Sequence, residues 1–248
     1  MSVVKRTRRY DSSGRAAQAL RNRSAILDTA RRQFLERGYA TTTIASIAQE
    51  AGVSVETVYK AFGGKAELVR SIYERGLAGR RQASAFQRSD EMREREANPR
   101  NILRYWAGLI AELAPEVSPI RLLMRSAAAG GDPDLANVLK ESDDERLQRM
   151  RHNARFLAKR GYLRTGVTPT ETADVLWTCT SAELYELLVV RRAWSLRRFE
   201  RFVGDFMIAA LLVPELDLVD PQPSQEHTRT MDSHTGRPLR ERRRRAAT

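Results

Sequence analysis

The side chains that carry out covalent or metal chemistry in proteins are few in this chain. One cysteine, Cys179, and three histidines, His152, His227 and His234, are spread over the second half of the sequence. They do not stand at the spacing of a zinc site, and no phosphate-binding glycine pattern occurs. We therefore expect no catalytic site, metal or cofactor. We interpret Cys179 as a small buried apolar residue rather than a redox sensor.

Basic side chains, in contrast, are in clear excess. The chain of 248 residues has 43 Lys and Arg against 31 Asp and Glu, which gives a formal net charge of +12. Residues 1–65 alone hold twelve basic and five acidic side chains, a surplus of seven. A surplus concentrated in one segment indicates a localised contact with an anionic partner, either a nucleic acid or a membrane surface.

The elements that would position these charges are short helices. Apolar residues recur at helical spacing over residues 16–37, and Gly38 follows as a left-handed C-terminal cap. Thr43 and Ser54 are good N-caps for two further helices on either side of Gly52. Two short helices joined by a glycine-containing turn are typical of a helix-turn-helix, whose second helix enters the major groove of DNA. An ordinary helical hairpin would show the same pattern.

The residues around this turn are more specific than the pattern itself. Residues 42–68, TTIASIAQEAGVSVETVYKAFGGKAEL, closely resemble the DNA-binding domain of the TetR family of repressors. Residues 26–30 and 34–39 match the first helix of that family, and the match is specific over residues 22–70. The resemblance implies an all-α homodimer, in which an N-terminal three-helix helix-turn-helix DNA-binding domain is joined to a larger helical ligand-binding and dimerisation domain.

The resemblance also implies which side chains contact DNA. The groove-facing side of the third helix would read bases, and Glu56 either accepts a hydrogen bond from cytosine N4 or is repelled by phosphate. Tyr59 matches a family tyrosine whose hydroxyl contacts a phosphate. Lys65 begins a helix, where a cation opposes the helix dipole unless a phosphate is bound there. The complete set of expected DNA contacts is Arg23, Thr43, Ser54, Val55, Glu56, Thr57, Tyr59, Lys60 and Lys65.

The chain is expected to have four parts. These are a flexible basic arm (1–15), the helix-turn-helix domain (16–65), the helical ligand-binding and dimerisation domain (66–213) and a disordered tail (214–248). Within the third part, a highly charged stretch over 84–99 predicts a frayed helix end and a loop. Helices are predicted over residues 65–83, 100–113, 119–129, 133–160, 170–191 and 195–213.

The last two predicted helices are apolar on more than one face, and the resemblance implies that they form a four-helix bundle with a second copy. A two-fold dimer would bind a pseudo-palindromic operator. A pocket for a mostly apolar small-molecule inducer is expected among the middle helices. Each candidate for its lining combines apolar surface with a few polar atoms and would equally suit a plain core: Trp106, Leu109, Met124, Phe156, Trp177 and Ser181.

Taken together, the sequence predicts a ligand-responsive DNA-binding transcriptional regulator, a repressor that an inducer releases from its operator. The alternative is an architectural DNA-binding protein without an inducer. No apolar run reaches the roughly 18 residues that a membrane span needs, and residues 1–15 have no signal-peptide core. We therefore expect a cytoplasmic protein with no membrane partner.

Overall fold

The computed structural model describes residues 13–79 and 83–213, and within these residues the regular structure is entirely helical. The expected all-α class is therefore confirmed. The helices are α1 Ser13–Arg37, α2 Ile44–Glu50, α3 Val55–Phe62, α4 Lys65–Ala78, α5 Ala85–Arg95, α6 Pro99–Ala129, α7 Pro133–Lys159, α8 Pro169–Cys179, α9 Ala182–Tyr185 and α10 Leu196–Leu211. Most of the predicted arm and all but the first residues of the predicted tail, 1–12 and 214–248, lie outside the described residues.

The first helix starts earlier than predicted, since residues 13–15 belong to α1 and not to an arm. These residues are Ser13, Gly14 and Arg15, and Gly14 and Arg15 are exposed, so no buried apolar face marks this turn of the helix in the sequence. Its end is as predicted: Gly38 has a φ of 86° and its N–H donates to the carbonyl of Phe34 at 3.0 Å. Thr43 caps α2 and Ser54 caps α3 through their hydroxyl groups, so the local signals that define the helix-turn-helix are confirmed.

Helix α6 is a single element of 31 residues, and the prediction of two helices with a break before Pro119 is wrong. Both Pro115 and Pro119 lie inside it. A proline lacks the N–H that would bond to the carbonyl four residues earlier, so Pro119 leaves the carbonyl of Pro115 without its helical donor. Arg31 of α1 donates to that carbonyl at 3.2 Å and also pairs with Glu116 at 3.0 Å. A contact from a distant helix thus supports the interrupted turn.

The charged stretch 84–99 contains helix α5, so the predicted loop is also wrong. Ser84 caps the helix by accepting from the N–H of Gln87 at 3.2 Å. An arginine of this stretch instead forms an ion pair with another helix: Arg88 binds both carboxylate oxygens of Glu112 on α6, at 2.8 and 2.9 Å. Helix α4 ends at residue 78 and not 83, because Gly79 has a φ of 75°.

The predicted helix over 170–191 is broken into α8 and α9, and α9 continues as a π-helical turn, Glu186–Arg191. The break lies at Thr180 and Ser181. Arg146 of α7 donates to the hydroxyl of Thr180 at 2.9 Å and to the carbonyl of Trp177 at 2.7 Å, and Ser181 caps α9. The side chain of Arg146 therefore occupies the acceptors that would otherwise continue α8.

The buried apolar side chains form two clusters that share α6. The head core joins α1–α4 to the second half of α6 and the start of α7; its fully buried members include Ile26, Phe34, Ile47, Leu68, Ile120, Met124 and Leu135. The C-terminal core joins the first half of α6 to α8 and α10; its fully buried members include Ile102, Leu103, Leu157, Phe199, Val203, Met207 and Leu211. The helix-turn-helix is thus packed directly against the larger helical domain.

Candidate nucleic-acid interface and ligand cavity

Helix α3 has one buried face and one open face. Val58 and Phe62 are buried in the head core. Val55 is 42% exposed and Tyr59 is 50% exposed, although both are large and apolar or aromatic. Glu56 and Lys60 are also exposed. Helical spacing places these four exposed side chains away from the core, as the reading helix of a helix-turn-helix requires.

Two predicted DNA contacts, Ser54 and Thr57, engage each other. The hydroxyl of Ser54 accepts from the backbone N–H of Thr57 at 3.1 Å, and the two hydroxyl oxygens are 2.8 Å apart. Thr43 makes the equivalent cap on α2, in a capping box with Ser46. Ser54 and Thr43 are exposed and Thr57 is half-buried. Their first role in the structure is to fix where α2 and α3 begin, and Ser54 and Thr43 keep solvent-facing oxygen atoms.

Lys65 lies at the first turn of α4. Its ammonium nitrogen is 4.0 Å from the centre of the Tyr39 ring and 3.5 Å from the carbonyl oxygen of Ala40. The N-cap residue Gly64 offers no side chain, so no side chain accepts from the first turn of α4. Backbone N–H groups and an ammonium group therefore face the same space, an arrangement that suits an anion such as a phosphate.

Burial is the largest cause of the pKa shifts of Tyr39 and Lys65. Burial, together with the carboxylates of Asp132 and Asp134, raises the pKa of Tyr39 to about 12. Burial lowers the pKa of Lys65, while Asp132 acts in the opposite direction. The phenol therefore stays neutral at physiological pH, and its ring holds the ammonium group in place by a cation–π contact.

Arg23 contacts the end of α3. Its guanidinium donates to the carbonyl of Ala61 at 3.0 Å and lies 4.3 Å from the centre of the Phe62 ring. The side chain is exposed. Arg23 thus links α1 to the reading helix and places a positive charge at the end of that helix.

A cavity of about 160 Å³ lies between the two cores. Helix α4 contributes Tyr73 and Leu77 to its wall, and α5, α6, α7 and the last three helices supply the rest. Three of the predicted lining residues, Trp106, Leu109 and Ser181, do line it. One wall of the cavity therefore belongs to the helix whose other end carries Lys65.

The other three predicted lining residues lie elsewhere, which corrects the prediction. Met124 is fully buried in the head core, because α6 continues beyond the cavity. Phe156 packs edge-on against Tyr162, with ring centres 6.4 Å apart. Trp177 is covered by the guanidinium of Arg146, 4.2 Å from its ring centre, which separates it from the cavity.

The cavity is also lined by one buried arginine, Arg121, and two partly buried ones, Arg146 and Arg149, which the sequence reasoning missed. Arg121, Arg146 and Arg149 line it together with Ser142 and Asn153. Four of these five residues lie on α7 at positions 142, 146, 149 and 153, the spacing of one helical face. A polar stripe on a helix that must also bury apolar residues is the signal that would have identified them. Arg125, which follows Met124 on α6, is exposed and pairs with Glu183 outside the cavity.

Each of the three cavity arginines shares a carboxylate with another arginine. Arg121 and Arg146 both bind one carboxylate oxygen of Asp143, at 2.6 and 3.1 Å. Arg121 also donates to Ser142 at 3.1 Å. Burial and the neighbouring Arg121 lower the pKa of Arg146, and Asp143 opposes this shift. The group therefore contains more positive than negative charge in a poorly solvated place.

Cys179 is buried in the C-terminal core, and burial raises the pKa of its thiol to about 12. The reactive form of a cysteine is the thiolate, so this environment suits an apolar packing role. Among the described residues, no group of three metal-binding side chains comes together. None of the helices described is at once long enough and apolar enough to cross a membrane.

Comparisons with known proteins agree with this geometry. Residues 26–72 match the family model "Bacterial regulatory proteins, tetR family". The transcriptional regulator TtgR of Pseudomonas putida is 44% identical over 55 residues, which are 22% of this chain and 26% of TtgR. The alignment thus spans about a quarter of that relative's length.

Solved structures extend the likeness beyond the N-terminal domain. SmeT, the repressor of the Stenotrophomonas maltophilia efflux pump SmeDEF, is 25% identical with a TM-score of 0.57, and the match covers 77% of this chain and 90% of SmeT. NalD of Pseudomonas aeruginosa, the secondary repressor of the MexAB-OprM pump, is 20% identical with a TM-score of 0.62, covering 79% of this chain and 98% of NalD. Residues 26–72 therefore form a DNA-binding domain of the kind found in the tetR family of bacterial regulatory proteins, and the helical fold of the described residues is similar to those of SmeT and NalD.

Proposed function

We propose that this protein is a homodimeric transcriptional repressor that binds a pseudo-palindromic operator through α3 and is released from it by a small molecule. The observation that carries the proposal is the position of α4. This helix begins at Lys65, three residues after the reading helix ends, and its second half, at Tyr73 and Leu77, forms a wall of the cavity. A ligand in the cavity thus touches the helix that sets the position of the DNA-binding domain.

The relatives support a repressor that responds to a ligand. SmeT and NalD are both repressors of efflux pumps, and SmeT has been solved in complex with triclosan. An architectural DNA-binding protein, the alternative function, has no need of a cavity against α4. The cavity therefore favours the regulator.

The dimer is proposed from the exposed apolar surface of α10 and the turn before it. Phe202 and Phe206 are 39% and 45% exposed, and their rings stack with centres 6.3 Å apart. The ring of Trp194 packs edge-on against Phe202. Leu187 and Val190 are exposed nearby in sequence, in the π-helical turn. Exposed apolar clusters of this kind mark interaction surfaces, and a second copy would cover this one.

The coupling follows from thermodynamic linkage. Two heads in one dimer can occupy successive major grooves only when they are separated by about 34–36 Å. A ligand that binds best when the heads have another separation must weaken operator binding, and the operator must weaken ligand binding by the same factor. A coupling of about 1–3 kcal/mol corresponds to a change of about 5- to 150-fold.

The test begins with an operator selected by the protein from a random duplex library. Compounds that raise the melting temperature are then added during titration of that duplex at fixed salt. Stabilising compounds that lower operator affinity support the proposal. If they stabilise the protein and leave operator affinity unchanged, the release mechanism is wrong. Substitution of Glu56 or Thr57 should change the selected sequence, by about 1–3 kcal/mol for each lost base contact.

A further inference from the structure

The polar atoms of the cavity that lack a hydrogen-bond partner are all donors. Trp106 is only 5% exposed and lines the cavity, and its indole N–H has no acceptor. The Nε–H of Arg146 is likewise buried without an acceptor. Among the described residues, the cavity lining shows no buried side-chain oxygen in the same condition. A buried donor without an acceptor is costly, so these groups favour a ligand that brings acceptors.

The charges around the cavity also favour a ligand that brings hydrogen-bond acceptors. Three arginines line it against one carboxylate, that of Glu145, which is exposed to solvent. The nearest ion-pair partners are shared: Asp143 serves Arg121 and Arg146, while Asp90 serves Arg149 and Arg93. The three cavity arginines therefore share two carboxylates, one of which also pairs with Arg93. A cationic ligand would be repelled here, and an anionic one would complete the pairing.

Most of the remaining lining is apolar or aromatic, with a few neutral polar side chains such as Ser142 and Asn153. Phe86 of α5, Leu109 of α6 and Phe199 of α10 contribute to it. Such a surface accepts a ring or short hydrocarbon and excludes water, which strengthens any charged hydrogen bond inside.

We propose that the cavity binds an amphipathic organic acid: an apolar, ring-sized body with an anionic group that Arg146 and the other cavity arginines receive and an acceptor atom for Trp106. This inference rests on the proposed function, because it names the class of ligand for the same cavity. It requires that the anion be held by charge-assisted bonds, which are stronger than bonds between neutral groups.

The test uses three probes of similar size on the full-length protein, by isothermal titration calorimetry. These are naphthoate, its uncharged amide and the cationic naphthylmethylammonium. Naphthoate should bind at least ten-fold more tightly than naphthamide, and the cation should not bind. Equal affinities for acid and amide, preference for the cation, or no binding of naphthoate at millimolar concentration would overturn the inference.

Two pairs of variants test which residues hold the ligand. Arg146→Met should abolish the preference for acid over amide, whereas Arg125→Met, which removes an arginine outside the cavity, should keep it. Since Arg146 also holds the end of α8, a second pair guards against misfolding. Trp106→Phe should weaken naphthoate binding several-fold, and Tyr162→Phe, which removes a polar group from an aromatic side chain outside the lining, should leave it unchanged. Identical behaviour of the two members of either pair contradicts the assignment.

The failure of this inference can be told from the failure of the proposed function. If naphthoate binds through Arg146 but operator affinity stays constant, the ligand class is supported and the release mechanism is wrong. If only neutral or cationic compounds release the operator, the release mechanism stands and the ligand class is wrong.

Discussion

Substitution of Lys65 by alanine offers a quantitative check of the DNA-binding surface. The ammonium group is positioned by the Tyr39 ring at 4.0 Å and by the Ala40 carbonyl at 3.5 Å, beside the uncapped first turn of α4. If a phosphate occupies that place in each half of a dimer, the variant loses two phosphate contacts. Since such contacts position the protein without reading bases, affinity should fall equally for different duplexes.

The expected magnitude follows from counterion release. Each phosphate contact on duplex DNA contributes about 0.9 to the slope of log affinity against log salt, so the slope should fall by about 1.8 for the dimer. If the two contacts contribute nothing at about 1 M salt, the variant should bind about 60-fold more weakly at about 0.1 M. The loss of the cation–π contact should cost only about 0.5–1 kcal/mol of folding stability for each chain.

The assay is fluorescence anisotropy of a selected operator and a scrambled duplex at several salt concentrations. Lys140→Ala is the matched control, because Lys140 is an exposed lysine on α7 that pairs with Asp144 at 2.9 Å. The control should keep the parent slope. An unchanged slope for Lys65→Ala, or a loss confined to the selected sequence, would refute the phosphate assignment.

Three further outcomes are expected. Phe202→Asp should dissociate the dimer in sedimentation velocity, because a charge in a dry interface is costly. Leu20→Asp, at an exposed apolar site on α1, should leave the dimer intact. A dimeric Phe202→Asp protein would contradict the proposed interface. Gly76→Ala should weaken operator binding several-fold with little change in melting temperature, since the added Cβ would lie 3.2 Å from Cγ2 of Val117 and the contact between α4 and α6 must adjust by a few tenths of an ångström. Unchanged affinity would count against α4 as the connecting element. Because burial raises the pKa of Cys179 to about 12, the thiol stays protonated at pH 8 and should react with a disulfide reagent only as the protein unfolds; immediate reaction would show that the site is open.

The parts of the fold that the sequence predicts correctly are those set by neighbouring residues. The left-handed cap at Gly38 and the hydroxyl caps at Thr43 and Ser54 depend on a few adjacent positions. The reading helix follows from the spacing of Val58 and Phe62 within eight residues. The helix-turn-helix could therefore be placed, with its exposed face, before any tertiary contact was known.

The errors come from contacts between distant parts of the chain. Helix α6 continues past Pro119 with help from Arg31, 84 residues before Pro115, which donates to the carbonyl that Pro119 leaves free. Helix α5 forms because Arg88 finds Glu112 on α6. Helix α8 stops because Arg146 takes the acceptors at its end. In each case an arginine that reads as a surface residue acts as a bridge between helices.

The ligand cavity was predicted only in part for a related reason. Apolar periodicity shows which side of a helix is buried but not which of two cores it meets. Met124 and Trp106 lie on the same helix with similar apolar character, yet α6 carries one into the head core and the other to the cavity. The arginines of the cavity were missed because an isolated arginine is more often exposed than buried.

We propose that α3 makes this protein a sequence-specific regulator and not a general DNA binder. The most direct measurement is the ratio of affinities for the selected inverted repeat and for a scrambled duplex of equal length, at one physiological salt concentration. If α3 reads bases, the protein should prefer the repeat by about 10³-fold or more. A ratio near one, with tight binding to both duplexes, would contradict it and favour an architectural role.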